Sequence, residues 1–392
     1  MNIDWIFALI FYGLVILFFF YKREKFKVEN KVFVMYRTKI GLKLMDSFAK
    51  SLPSLLKWLG FIGIAVGFAG MIFIFFLLFQ SLFNIVINPA SEPALAPVLP
   101  GIKIPGVPIY IPFWHGILSI FIIAAIHEFS HGVFARLYNI NVKSSGVAFL
   151  GPILAAFVEP DEKQLNKRKA SAQFSILAAG PFSNILTAGV FLLILFAATP
   201  AVYSMLDING AKIANVEKNY PLYSAGADVG EQLEAFNNIK VESVENFTAY
   251  MKNIKPGQKI SLKTNKTTYN LVAVEHPKIK DKGYLGVAVA PVSINLKDET
   301  KKRFGSILPW VFFWFSGLFS WIFMLSLGIG LINLLPLGPV DGGKMFHLAA
   351  LSITKDQKKT KKLWGIVSLI SLALIVLNLT YPYFRDLILW LV

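Results

Sequence analysis

The chain has 392 residues, 55% of them hydrophobic, with a mean hydropathy of +0.58. Its apolar residues gather into long stretches, which excludes an ordinary soluble domain and indicates a multi-spanning α-helical membrane protein. It has no cysteine, which excludes disulfides and thiolate metal sites, and its net charge of +16 falls largely beside apolar spans, which reads as topology and headgroup contact rather than nucleic-acid binding.

Residues 3–21 are apolar and long enough to span; with no basic leader or cleavage site before them, they read as a retained helix. Residues 22–57 read as a basic loop, and a second span runs near 58–88. A proline-rich segment, 89–112, precedes a third span at about 113–138 and a fourth at 173–199. The fifth lies near 307–335 and the sixth near 364–380; the last twelve residues, from Tyr381, read as a separate short or interfacial helix. Basic segments at 22–57, 161–169 and 355–362 alternate with poorly charged ones. Assigned to the cytoplasm, they put the N-terminus and residues 206–303 outside.

Two segments do not fit simple spans. Residues 144–160 are too apolar for an ordinary loop and too short to cross, which predicts a re-entrant β-hairpin, tolerated at membrane depth only where it is buried in protein or lines a wet cavity. Residues 206–303 are polar and mixed, and predict a small α/β domain. Its expected strands are Ile213–Val216, Lys259–Lys263 and Tyr269–Val274, with an amphipathic helix over Val244–Lys252. The resulting division is 1–112, 113–205, 206–303, 304–350 and 351–392.

Within the third span stands His127-Glu128-x-x-His131. Histidines four apart lie one turn apart on one helix face and can share a metal ion, while the adjacent carboxylate reaches a water as general base. Ionisable groups at bilayer depth cost roughly 2.5–3.5 kcal/mol each on insertion scales and are usually functional; the competing reading is a buried polar network that only ties helices together. A zinc ion also needs a third protein ligand and an open position. Asp341, in the Gly/Pro-broken stretch 333–343, supplies a carboxylate at similar depth. Of the other histidines, His115 lies about 120° around the helix from His127 and reads as interfacial. His276 reads as surface, and His347 as a weaker candidate for a supporting contact behind Asp341.

With both motifs in order, the chain resembles the site-2 protease family of intramembrane zinc metalloproteases. The resemblance rests on HExxH at 127–131, Asn333-x-x-Pro336 leading to Asp341-Gly342-Gly343, and Gly180-Pro181-x-x-Asn184 on the intervening helix. It covers roughly residues 113–350. It implies one catalytic Zn2+ on His127, His131 and Asp341, Glu128 as acid/base, and Asn333 as the residue that holds or polarises the scissile peptide. The inserted 206–303 segment resembles a PDZ domain through residues 214–241, Lys255-Pro256-Gly257 and Gly283–Val287, departing at Gly230-Glu231 where Asp is usual.

The resemblance implies substrates that are themselves membrane proteins with transmembrane helices. It also implies a multi-pass protein of the plasma membrane, with its active site in the cytoplasmic half of the bilayer and no nucleic-acid partner. A metal-ion carrier would need ionisable residues along several spans, and the fourth and sixth spans have none in their cores. A non-catalytic scaffold would not need Glu128.

Overall fold

The computed structural model describes residues 3–21, 26–29, 33–87, 91, 93–104, 107, 109–150, 153–277 and 279–391. The chain forms two compact units, one of Met1–Phe196 with Phe315–Val392, the other of Ala197–Trp314. Among the described residues, six helices are long and apolar enough to cross a membrane.

The first unit begins with α1 (Ile3–Tyr21), β1 (Phe26–Glu29), β2 (Phe33–Thr38), α2 (Leu42–Ser51), α3 (Pro53–Ile87) and α4 (Phe113–Leu137). It continues through β3 (Val142–Leu150), β4 (Ile153–Pro160), α5 (Glu162–Asn166) and α6 (Ala170–Met205). Helix α3 is apolar all round, yet one stripe of it is distinctive. A methyl group on Gly60 would strike Ser175 and Phe134, one on Gly63 would crowd Phe182, and ones on Gly67 and Gly70 would strike Met345 and Leu334. Small residues let helix backbones approach closely where no hydrophobic force drives them together. Helix α3 is thus the wall behind the helix and turn that carry the third candidate ligand.

The four strands form one antiparallel sheet in the order β1-β2-β3-β4, leaving β4 at an edge. β3 and β4 pair antiparallel from Val142↔Pro160 to Leu150↔Ile153. The reading of 22–57 as a plain basic loop is corrected: β1, β2 and α2 all fall within it. β1 alternates apolar and charged residues over only four positions, too few to stand out in a basic stretch, and the pair takes its place because β2 pairs with β3, far along the chain, with β1 beside β2.

In the second unit, β5 (Leu206–Asn209), β6 (Ala211–Val216), α7 (Pro221–Ser224), β7 (Gln232–Phe236), β8 (Ile239–Lys240) and α8 (Val244–Lys252) come first. Then follow β9 (Lys259–Thr264), β10 (Thr268–Val272), β11 (Val274–His276), β12 (Ile279–Tyr284), β13 (Val287–Ala290), β14 (Ser293–Leu296) and α9 (Asp298–Phe304). The main sheet runs β10-β9-β7-β6-β13, with β8 beside β7. It buries Ile213, Leu222, Leu233, Phe236, Phe247, Leu262 and Leu285 in one core. Ser243 caps α8 by accepting the Asn246 N–H.

Glu231, where the sequence departs from the PDZ pattern, is buried and fully partnered. It accepts from Thr264 Oγ1 at 2.7 Å, Tyr269 OH at 2.9 Å and the Asp228 N–H at 3.0 Å, with Lys266 Nζ at 3.7 Å. Burial alone would raise its carboxyl, but these donors outweigh burial and hold it below the usual carboxylate range.

The chain closes with α10 (Ile307–Asn333), α11 (Asp341–Thr354) and α12 (Gln357–Leu391). The expected separate terminal helix is instead a continuation of α12 through Pro382. A proline reads as a stop in sequence, but inside an apolar span neighbouring groups can re-satisfy the carbonyl it frees.

Candidate metal centre

On α4, His127 and His131 face the same way, and Asp341 arrives from the first turn of α11. His127 Nε2 and His131 Nε2 are 3.2 Å apart, and each lies 3.1 Å from Asp341 Oδ2. All three side chains are nearly buried. Zinc bonds nitrogen and oxygen at about 2.0–2.2 Å in a tetrahedral site, so neighbouring ligand atoms should stand about 3.3–3.5 Å apart. The observed triangle is within a few tenths of an ångström of that, and its three atoms form a group able to hold one metal ion.

The surroundings decide which nitrogens face the ion, and helix α6 supplies them from three positions one turn apart. The Ile176 carbonyl accepts the His131 Nδ1–H at 2.7 Å, which leaves that ring's Nε2 lone pair for a metal. Four residues on, Gly180 has no room for a side chain: a methyl there would lie 2.4 Å from His131 Nε2 and 2.5 Å from His127 Nε2. Another four residues on, the Asn184 amide lies 3.1 Å from His127 Nδ1. Asn184 is buried, and its Oδ1 has no hydrogen-bond partner. Turning that amide over makes Oδ1 the acceptor of the His127 Nδ1–H and frees Nε2 as a ligand. The orphaned oxygen is thereby explained, and the residues present fit a zinc ion. Ser326 on α10 fixes this stretch of α6 by donating to the Asn184 carbonyl at 2.9 Å.

The glycines after Asp341 are equally constrained. A methyl on Gly342 would stand 2.2 Å from the Leu334 carbonyl oxygen, and one on Gly343 would stand 1.9 Å from that of Leu337. Only glycine lets the 334–340 turn fold back against the start of α11, which is where Asp341 must sit to meet the histidines. Its carboxylate also lies at a helix N-terminus, whose partial positive charge favours an anion.

Glu128 does not ligate. Its Oε2 accepts the backbone N–H of Val158 on β4 at 2.9 Å. Asn333 closes α10, half-buried, one residue before Leu334. The structure brings it to the turn that packs on Gly342, but among the described residues it makes no hydrogen bond to the three ligands. His115 packs on Gly317, and His347 stands edge-on to Trp364 with ring centroids 5.4 Å apart. His276 stands edge-on to Tyr284 in the second unit.

Sequence reasoning missed Ile176 and Val158, because both act through the backbone and no residue type announces them. The roles of Gly180 and Asn184 were visible only as a pattern. Their spacing of four from each other and from Ile176 was the available signal.

Among the described residues, six apolar membrane-length helices and a centre of two histidines and one aspartate define a multi-pass membrane metalloprotease with a site for one zinc ion. Residues 115–378 match the model of peptidase family M50, more than half of the chain, and the chain belongs to that family. It is 28% identical over 349 residues to an uncharacterised protein of Methanocaldococcus jannaschii, covering 85% of this chain and 81% of that one. It is 24% identical over 272 residues to the zinc metalloprotease RasP of Shouchella clausii, covering 59% of this chain and 63% of RasP.

Proposed function

We propose that this protein hydrolyses peptide bonds in or near transmembrane segments of other membrane proteins, as in regulated intramembrane proteolysis. The observation that carries the proposal is Glu128 standing beside a buried two-histidine, one-aspartate triangle on a membrane-length helix. Zinc, when bound, supplies Lewis acidity that polarises the scissile carbonyl and lowers the pKa of water. Glu128 takes the proton of the attacking water and passes it to the leaving nitrogen. Asn333 holds the scissile peptide by its carbonyl. Leu334–Val340, the break between α10 and α11, gives water a path to the site from the cytoplasmic side.

A helix hides its carbonyls in internal hydrogen bonds, so the substrate must unwind before it is cut. In this proposal the β3–β4 hairpin is re-entrant, and its edge strand β4 pairs with the unwound segment by strand addition. The N-terminus and the 206–303 domain lie outside a plasma membrane, with the site in the cytoplasmic half. The free edge of β13 supports reading that domain as a PDZ-like filter for substrates.

The test is incubation of the purified protein with a single-span substrate in lipid vesicles, with the cut mapped by mass spectrometry. Cleavage within or beside the span is expected. Cleavage confined to soluble, unfolded polypeptide would overturn the intramembrane reading.

A further inference from the structure

β4 does more than offer an edge. In the antiparallel pair with β3, Val158 stands opposite Ser145, and main-chain groups point alternately toward and away from the partner strand. Because the Val158 N–H is given to Glu128 on α4, it points away from β3. By the same alternation the main-chain groups of Ala156 and Leu154 point outward, while those of Phe157 and Ala155 face β3. The outward row is the one an added strand would use, and at Val158 its donor is already taken.

The side chain of Val158 is held by the same helix. A methyl built on Gly132, one turn beyond Glu128, would lie 3.2 Å from Val158 Cγ1 and 2.5 Å from Met45 Sδ. Gly132 is therefore a notch filled mainly by Met45, with the Val158 side chain seated at its rim, and the absent side chain lets β4 lie close to α4 beside the hydrogen bond to Glu128. Backbone donor and side-chain seat lie four residues apart on α4, so a single residue of β4 is fixed at two points along one face.

We propose that Val158 is a positioning residue that aims the Glu128 carboxylate through its backbone N–H and ends the outward ladder of β4, so that a paired substrate strand stops there and its next peptide lies against Glu128. The proposal rests on the reading of Glu128 as the acid/base. It makes the site of cutting a matter of register: pairing with Ala156 and Leu154 sets how far the chain runs, and Val158 sets where it stops.

The experiment uses the full-length protein in lipid vesicles with the single-span substrate, and begins by comparing wild type with Glu128→Gln. If Glu128→Gln cleaves like wild type, the acid/base reading fails and this inference fails with it. With Glu128→Gln inactive, Val158→Pro decides the matter alone, because it removes the N–H at an edge position that tolerates proline. The expected result is a fall in kcat of about ten- to a hundredfold, the cost of misplacing a catalytic group by about an ångström. KM should stay within about threefold and zinc content should be unchanged.

Ala156→Pro should instead raise KM or shift the mapped cut. Should Val158→Pro fold poorly, Gly132→Ala in a Met45→Ala background gives the second route: with the larger clash at Met45 removed, the new methyl should lower kcat by pushing Val158 away, and adding Val158→Ala should restore it. Wild-type kcat in Val158→Pro, or, in the Met45→Ala background, a Gly132→Ala defect that Val158→Ala does not relieve, would overturn the proposal.

Discussion

Gly180→Ala should weaken zinc binding although it replaces a glycine in the middle of a helix. Two effects oppose each other. Ala for Gly in a helix interior stabilises by roughly 0.5–1 kcal/mol. Against that, the new methyl would lie 2.4 Å from His131 Nε2, 2.5 Å from His127 Nε2 and 2.7 Å from His127 Cδ2. Ordinary contact begins near 3.4 Å, so the rings or the helix must yield by about 1 Å. Metal–ligand distances tolerate only about 0.2 Å, and disturbing the groups that orient ligating histidines typically costs 10–100-fold in affinity. That is about 1.4–2.8 kcal/mol, more than the helix gains, so the clash wins. The assay is zinc retention against a graded series of chelator, with thermal stability of the zinc-free protein measured beside it. Gly189→Ala, on the same helix with nothing within 4 Å of the added methyl, is the control and should bind zinc as wild type does. Unchanged zinc affinity in Gly180→Ala would refute the placement of α6 against the metal ligands.

Asn184→Ala removes the hydrogen-bond partner of His127 Nδ1 and should lower zinc affinity about 10–100-fold, read by the same competition. Asp341→Asn replaces the anionic ligand by a neutral amide and should leave the purified protein with little zinc by elemental analysis. In the second unit, the depressed pKa of Glu231 stabilises the fold above its ordinary value of 4.5, and that contribution is lost as pH falls through the lower, folded value. Protection factors for hydrogen exchange in β7 and β9 of the intact protein, taken relative to the intrinsic rate at each pH, should therefore fall below about pH 4.5. Glu231→Gln should lower them at neutral pH by an amount worth about 1–3 kcal/mol, since buried donors lose their acceptor, and should flatten the acid dependence.

Much of this fold is legible in sequence because the bilayer imposes length and apolarity on spans, and all six are where the hydropathy puts them. The metal triangle was equally legible: His127 and His131 declare themselves by spacing, and Asp341 by the glycines that follow. What was hidden has physical reasons. β2 forms by pairing with β3, more than a hundred residues away, and β1 by pairing with β2; strands of four and six residues in a basic stretch carry too short a pattern to announce themselves. The glycine stripe of α3 looks like any apolar helix until Phe182, Met345 and Leu334 are seen against it. Ile176 and Val158 contribute a carbonyl and an N–H, which every residue has. Asn333 was singled out from the sequence motif alone, and among the described residues it makes no hydrogen bond to the three ligands.

In the proposed mechanism, Glu128 drives peptide hydrolysis beside a zinc ion held by His127, His131 and Asp341. The most direct test is a paired measurement on wild type and Glu128→Gln in the same vesicles, combining zinc stoichiometry with the rate of cleavage of a single-span substrate. About one zinc per chain is expected in both proteins, with cleavage only by wild type. Equal cleavage by Glu128→Gln, or wild-type cleavage that persists after zinc is stripped, would contradict it.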